Sequence, residues 1–209
     1  MSHMNRRELV GAAGVVAAAG LVPAVAAAAT GKPAHEGPTL PESDESNRFD
    51  FAKIEPQVVR PGGTVKECTG KNFPVLVDND AASFLLVLEP GAVREPHWHP
   101  NAWELDVPLS GRGRLGVANP DDTFSVQEIL PGQIGFIPQG YAHYIENVGS
   151  EEMRWVVVFN NTQPDDIGLS TTFAGMPTHT FTDTFGLPKG ALARADKPDH
   201  TLFIVEPSA

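Results

Sequence analysis

The stretch that decides the fold lies between residues 91 and 147 and contains two segments with regular spacing. The first reads GAVREPHWHPNAWELDVPLSG at residues 91–111, and the second reads GQIGFIPQGYAHYIEN at residues 132–147. In both segments, glycines and prolines fall where a chain of short strands has to turn. Short strands separated by turns at such spacing predict a β-sandwich or a small β-barrel.

The same stretch contains four potential metal ligands. His97 and His99 are two residues apart, so on a strand their imidazoles project from the same face. Glu104 follows on the adjoining segment, and His143 comes from a separate hairpin. Three imidazoles and one carboxylate leave one or two positions on an ion for water, substrate or dioxygen. This mixed set suits Mn(II) or Fe(II), although affinity alone would favour Cu or Zn. An isolated H-x-H pair would more simply be two surface histidines.

The flanking sequence predicts further strands. Ser83–Glu89 and Arg154–Phe159 are apolar runs of strand length, which predict strands buried on both faces. Thr123–Ile129 alternates apolar and polar residues and predicts a half-exposed strand. Two weak helical segments are expected at Leu169–Met176 and Pro188–Ala195. The predicted fold class is therefore all-β, with short helical segments near the C-terminus.

The spacing of residues in the two segments resembles the two motifs of the cupins. Ten positions match, and at a chance of roughly a few per cent each a coincidence is negligible. The matching residues are Gly91, His97, His99, Glu104, Gly111, Gly132, Pro138, Gly140, His143 and Asn147. Residues 54–177 also resemble one domain of the bacterial two-domain oxalate decarboxylases, the second domain especially, for example in EPGAVREPHWHPN at residues 89–101. The resemblance implies a double-stranded β-helix, or jelly-roll barrel, over residues 49–177.

The resemblance also implies a metal and a substrate-binding group. The metal is one divalent ion, Mn(II) in the first place, with Fe, Cu and Zn as alternatives. Arg94, three residues before the first ligand, corresponds to an arginine that binds oxalate, and a guanidinium can hold a carboxylate through two parallel hydrogen bonds. The implied metal ligands are His97, His99, Glu104 and His143.

The position of Arg94 is open on the sequence alone. Strict alternation along a strand would place it on the face opposite His97, and only a bend at Pro96 would bring it to the metal. The alternative is an exposed arginine at the rim of the barrel. A local positive group is nevertheless expected, because a negatively charged protein repels an anionic substrate.

The resemblance also implies that two aspartates, Asp166 and Asp165, exchange a proton with the substrate. Asp166 falls at the position of the acidic lid residue of the decarboxylases, and Asp165 lies beside it. Two neighbouring loop aspartates could instead be solvated turn residues. The pocket wall also departs from the family, because Val157 replaces a strand glutamate and Leu105–Leu109 replaces an aromatic run.

These observations leave three functional hypotheses. The first is a secreted enzyme that decarboxylates or oxidises oxalate, with dioxygen as a second reactant. The second is another metal-dependent oxidase or dioxygenase that acts on a small organic acid or a phenol, with Arg94 structural. The third is a non-catalytic cupin that binds metal or serves for storage.

The N-terminal residues 1–29 are predicted to be an export signal. Residues 1–3 resemble a cloning scar, and Arg6 and Arg7 precede the uncharged run Leu9–Ala29, which ends in small residues that fit a cleavage site. The arginine pair resembles a twin-arginine signal, with ordinary Sec export as the alternative. We expect a periplasmic or extracellular protein without stable membrane association after cleavage. Residues 30–48 are expected to form a flexible arm, and residues 178–209 a C-terminal extension.

The composition narrows the class of partner. The chain has 209 residues, with 26 acidic and 15 basic side chains and a net charge of -11. Such a charge argues against nucleic-acid binding, which needs a basic surface. A small anionic substrate and dioxygen are the expected partners, and a homo-oligomer is compatible with the sequence. The single cysteine, Cys68, cannot form an intrachain disulfide and is expected to be a small buried apolar residue.

Overall fold

The computed structural model of the chain describes residues 47–195 and 197–207. The predicted export signal and nearly all of the predicted arm lie outside these ranges. Within them, no helix is both long enough and apolar enough to cross a membrane.

The described residues form twelve short strands, two α-helices and two short 3-10 segments. The 3-10 segments are Phe51–Lys53 and Pro74–Asn79, and the helices are α1 (Leu169–Gly175) and α2 (Thr178–Thr184). In chain order, the strands are β1 Val58–Arg60, β2 Gly63–Cys68, β3 Ala82–Leu88, β4 Val93–Trp98, β5 Glu104–Ser110, β6 Gly113–Ala118, β7 Phe124–Ile129, β8 Gly135–Ile137, β9 His143–Asn147, β10 Met153–Phe159, β11 Ile167–Gly168 and β12 Ile204–Val205.

These strands are arranged in two antiparallel sheets around one core. The first sheet has the order β1-β2-β3-β10-β5-β8, and the second has the order β11-β4-β9-β6-β7, with β12 also paired to β4. Side chains from both sheets form the core, where Leu88, Trp155 and Phe159 are almost completely buried. This is the jelly-roll barrel of the sequence prediction, so the all-β fold class is confirmed.

The strand predictions are confirmed in position but corrected in burial. The expected strands correspond to β3 and β10, yet β10 alternates between buried and accessible residues and Arg154 is exposed. The expected burial on both faces is therefore wrong for β10, whereas the three consecutive residues Leu86–Leu88 at the end of β3 are all buried. The strand β7 is exposed at five of its six positions, rather than half-exposed, because it lies at the outer edge of its sheet.

The two helical predictions have different outcomes. The segment expected at Leu169–Met176 forms α1, so that prediction is confirmed. The prediction of a helical segment at Pro188–Ala195 is wrong. It forms separate turns with hydrogen bonds between residues three apart, and Gly190 has a φ of 87°, which ends any helix there. The second helix is instead α2, which the sequence analysis missed because threonine is a weak helix former.

An irregularity in β4 determines what faces the barrel interior. The pairing of β4 with β9 joins Arg94 to Ile145 and His97 to His143, so β4 uses three steps where β9 uses two. This extra residue is a β-bulge, which shifts the alternation of side chains between the two faces. The bulge at Glu95 and Pro96 therefore brings Arg94 to the same side of the strand as His97.

Candidate metal centre

Four side chains converge inside the barrel from three strands and from the segment that follows β4. His97 and His143 are direct neighbours on β4 and β9, with ring centroids 4.1 Å apart. His99 follows the end of β4, and Glu104 begins β5 in the opposite sheet. All four are buried, and one potential ligand atom from each lies within 4.8 Å of the others. The sequence-predicted ligand set is therefore brought together in one place.

Backbone carbonyl groups set the tautomer of each imidazole. The Nδ1 atoms of His97, His99 and His143 lie 2.7, 2.6 and 2.9 Å from the carbonyl oxygens of Glu95, Asp165 and Tyr141. A carbonyl oxygen can only accept a hydrogen bond, so each Nδ1 is the donor. In the neutral rings, each Nε2 atom is left with a lone pair, as metal-ligating histidines require.

The remaining atoms fit a divalent cation. The Oε2 atom of Glu104 lies 2.9 Å from Nε2 of His99 and 3.1 Å from Nε2 of His143. With neutral rings, these are acceptor atoms that face one another in a buried space, and they would repel without a positive charge between them. Three nitrogen donors and one carboxylate oxygen match the donor sets of first-row divalent metals. The site therefore fits a divalent metal ion.

The pKa values of the ligands are shifted by their surroundings. Burial, followed by the positive charge of Arg94, holds the pKa of His97 well below 6.5, so this ring is neutral at physiological pH. Burial, the largest single effect, disfavours the charged form of His99, but the neighbouring Glu104 carboxylate, the carbonyl oxygen of Asp165 and the charge of Asp166 together raise its pKa. Burial acts against ionisation of Glu104 too, yet His143 and His99 hold its pKa well below 4.5. The raised pKa of His99 means that protonation of this ring competes with binding of a metal ion there.

Arg94 lies beside this centre and is 5% exposed. The alternative of an exposed rim arginine is therefore wrong, and the reason is the β-bulge in β4. Its guanidinium forms an ion pair with Asp166, and its Nη1 atom donates to the carbonyl oxygen of Phe203 at 3.2 Å. Arg94 and Asp166 both line a cavity of about 20 Å³ next to His97 and His99, which is room for about one water molecule.

The two predicted lid aspartates have different surroundings. Asp166 reaches Arg94, whereas the exposed side chain of Asp165 accepts a hydrogen bond of 3.0 Å from Asn101 and does not line the cavity. Asp165 contacts the centre through its backbone carbonyl, which accepts from His99. The structure thus brings Asp166, but not the carboxylate of Asp165, to the candidate site.

Three residues near the site were not singled out by the sequence. Glu95 is buried and accepts from the backbone N–H of Ser170 at 2.8 Å and from that of Phe203 at 2.8 Å. It therefore fastens the segment after Asp166 and the C-terminal segment to β4. Asp106 is fully buried two residues after Glu104, where burial and the charge of Glu104 hold its pKa well above 3.8. A charged residue in a barrel strand was the available signal for both acids, whereas nothing local pointed to Phe203.

A barrel with three histidines and one glutamate in its interior defines the class as metal-binding jelly-roll proteins. The sequence profile described as Cupin matches residues 49–190, and the chain belongs to this family. It is 31% identical over 138 residues to oxalate decarboxylase OxdC of Bacillus subtilis, a match that covers 66% of this chain and 35% of OxdC. It is 30% identical over 100 residues to germin-like protein subfamily T member 3 of Arabidopsis thaliana, covering 48% of this chain and 44% of the relative.

A solved structure of B. subtilis oxalate decarboxylase, from work on its Mn(II) centres, has a similar fold. It superposes with a TM-score of 0.67 at 30% identity, covering 76% of this chain and 41% of the other. The chain therefore spans less than half the length of these proteins. The similarity establishes the family and the fold.

Proposed function

We propose that this protein is a metal-dependent cupin enzyme that acts on oxalate. Decarboxylation would consume one proton and convert oxalate into formate and carbon dioxide. Oxidation would instead use dioxygen and two protons to give two carbon dioxide molecules and hydrogen peroxide. The observation that carries the proposal is the buried cation of Arg94, which faces a small cavity beside the four-ligand centre.

Arg94 is proposed to bind one carboxylate of the substrate. Its guanidinium presents parallel N–H groups that match a carboxylate, and its burial makes this charge interaction stronger than it would be in water. His97, His99, Glu104 and His143 would hold the metal, which when bound supplies a Lewis acid and, if it is manganese, redox chemistry with dioxygen.

Asp166 is proposed to exchange the proton. Its carboxylate is paired with Arg94 in this structure, so a substrate carboxylate that takes over Arg94 has to release Asp166. The released carboxylate would remain next to the reacting carbon, where it can supply or accept a proton. Substrate binding and placement of the proton-exchanging group would then be one coupled event.

The apolar part of the cavity supports a small substrate. Phe84, Leu86, Val157 and Phe159 line it together with the charged groups. Apolar walls keep water from the reacting atoms, and a two-carbon acid would require less enlargement of this small cavity than a phenol would. The small size of the cavity also favours a second candidate function, that of a non-catalytic metal-binding cupin, because the cavity holds about one water molecule.

We propose that the native metal ion is manganese and that the protein is exported from the cytoplasm. Manganese is supported by the mixed nitrogen and oxygen donor set and by the Mn(II) centres of the similar B. subtilis enzyme. Export is supported by the arginine pair and the uncharged run of residues 9–29. A twin-arginine route would carry the protein already folded, with its metal selected before export.

The test is an assay of manganese-loaded protein on oxalate from pH 4 to 7, with formate, carbon dioxide and peroxide measured separately. Arg94→Lys should retain the metal and lose at least about tenfold in activity, or 1.4 kcal/mol, because lysine cannot form the paired hydrogen bonds. Arg154→Lys is the matched control, since Arg154 is exposed on β10. A manganese-replete wild type that forms no oxalate-dependent product in this range would refute the proposed function.

A further inference from the structure

We infer that Phe203, in the C-terminal segment, is a positioning residue that fixes the guanidinium of Arg94 for carboxylate binding. Phe203 lies 109 residues after Arg94 and outside both motifs. The substrate-binding part of this inference rests on the proposed function. The positioning itself does not, and it can be measured without a substrate.

Phe203 contacts Arg94 in two ways. The guanidinium carbon of Arg94 lies 4.0 Å from the centroid of the Phe203 ring, a distance at which the ring face attracts a cation. The carbonyl oxygen of the same residue accepts from Nη1 of Arg94 at 3.2 Å. One residue therefore places its ring against the guanidinium and also accepts a hydrogen bond from one of its N–H groups.

The backbone of Phe203 is held in an unfavourable conformation to make these contacts. Its φ is 67°, in the left-handed region that aromatic residues rarely adopt. Two hydrogen bonds to Glu95 maintain it, one from the backbone N–H of Phe203 to the Glu95 carboxylate at 2.8 Å and one from the Glu95 N–H to the Phe203 carbonyl at 2.9 Å. The next residue, Ile204, pairs with Arg94 on β4. Strain that persists in this way at a binding site indicates a functional constraint.

The arrangement has a consequence for ligand selection. The Phe203 ring occupies the space next to the guanidinium carbon, and a carboxylate that binds in the guanidinium plane can form paired hydrogen bonds there. The ion pair with Asp166 occupies part of this edge in the structure. Phe203 therefore holds Arg94 in place for a carboxylate that can replace that of Asp166, and its ring competes with any ligand that would pack against the same side of the guanidinium.

The experiment compares Phe203→Leu, Phe203→Tyr and Ile204→Ala with the wild type. The zinc-loaded protein is labelled with 15N-arginine, and the Nε–H signal of Arg94 is assigned by its absence from the spectrum of Arg94→Lys. The hydrogen-exchange rate and the relaxation of this Nε–H group then report how rigidly the guanidinium is held. We expect Phe203→Leu to make this group mobile and exchange at least tenfold faster, and Phe203→Tyr to restore the wild-type order. Ile204 is 3% exposed, so Ile204→Ala controls for loss of packing in the adjacent residue.

Oxalate kinetics of the manganese-loaded variants form the second arm. Phe203→Leu should raise KM about tenfold with a smaller change in kcat, and Ile204→Ala should lower the melting temperature with KM unchanged. Unchanged Arg94 order in Phe203→Leu overturns the inference, and so does an equal loss of order in Ile204→Ala. A mobile Arg94 in Phe203→Leu, restored in Phe203→Tyr, supports positioning even if the wild type does not turn over oxalate. In that case only the proposed function fails.

Discussion

Replacing Asp166 by asparagine tests whether the Arg94–Asp166 ion pair competes with the substrate. The two side chains are 6% and 17% exposed, so the protein rather than water surrounds most of this contact. A hydrogen bond to a charged group contributes about 1.5–3 kcal/mol, more than a neutral one. A substrate carboxylate that binds Arg94 must first break the pair, so this free energy is subtracted from its own binding.

The variant should therefore bind oxalate more tightly and turn it over more slowly. Removing the full competition would strengthen binding by roughly 10- to 150-fold, since about 1.4 kcal/mol corresponds to a factor of ten. Asparagine still offers an oxygen to Arg94, so we expect a gain near the lower limit, about tenfold. Formate production should fall by about a hundredfold or more, because an amide cannot exchange the proton.

The assay is calorimetric titration of oxalate into the metal-loaded protein, together with the kinetics of formate release. Asp165→Asn is the matched control, because this neighbouring aspartate is exposed and its side chain contacts Asn101 instead of Arg94. It should change neither quantity. If Asp166→Asn binds oxalate no more tightly than the wild type, the ion pair does not compete with the substrate and the reasoning is wrong.

Four further predictions concern the metal, the cysteine and the leader. His143→Ala should remove most of the bound metal on metal analysis after purification, whereas stoichiometric retention would contradict its role as a ligand. Glu104→Gln should shift the preference toward softer metals in a competition between Mn and Cu or Zn, because it removes the anionic ligand of the four. Burial raises the pKa of Cys68 to about 11, so at pH 8 only about a thousandth of the thiol is ionised, and a thiol reagent should modify it only on unfolding. Protein secreted by the native host should begin near residues 27–30 on N-terminal sequencing, and an intact run of residues 9–29 in the membrane fraction would instead indicate an anchor.

The sequence by itself determined the barrel and the four potential ligands. The two-residue spacing of His97 and His99 fixes a shared face wherever a strand forms, and the glycines and prolines fix where the strands turn. These are local properties of the chain. For the same reason β3 and β10 could be located, while the burial of β7 could not, since it depends on the position of a strand in its sheet.

Only the tertiary structure decided how the surroundings of the metal centre are built. Alternation alone placed Arg94 on the wrong face, and the bulge that corrects it exists only in the pairing of β4 with β9. The contact of Arg94 with Phe203 spans 109 residues, and its ion pair with Asp166 spans 72. No local periodicity encodes such contacts, because they arise when separate segments are packed onto the same strand. The sequence therefore determined the four ligands, whereas long-range packing determined the position of the Arg94 charge and of the cavity beside them.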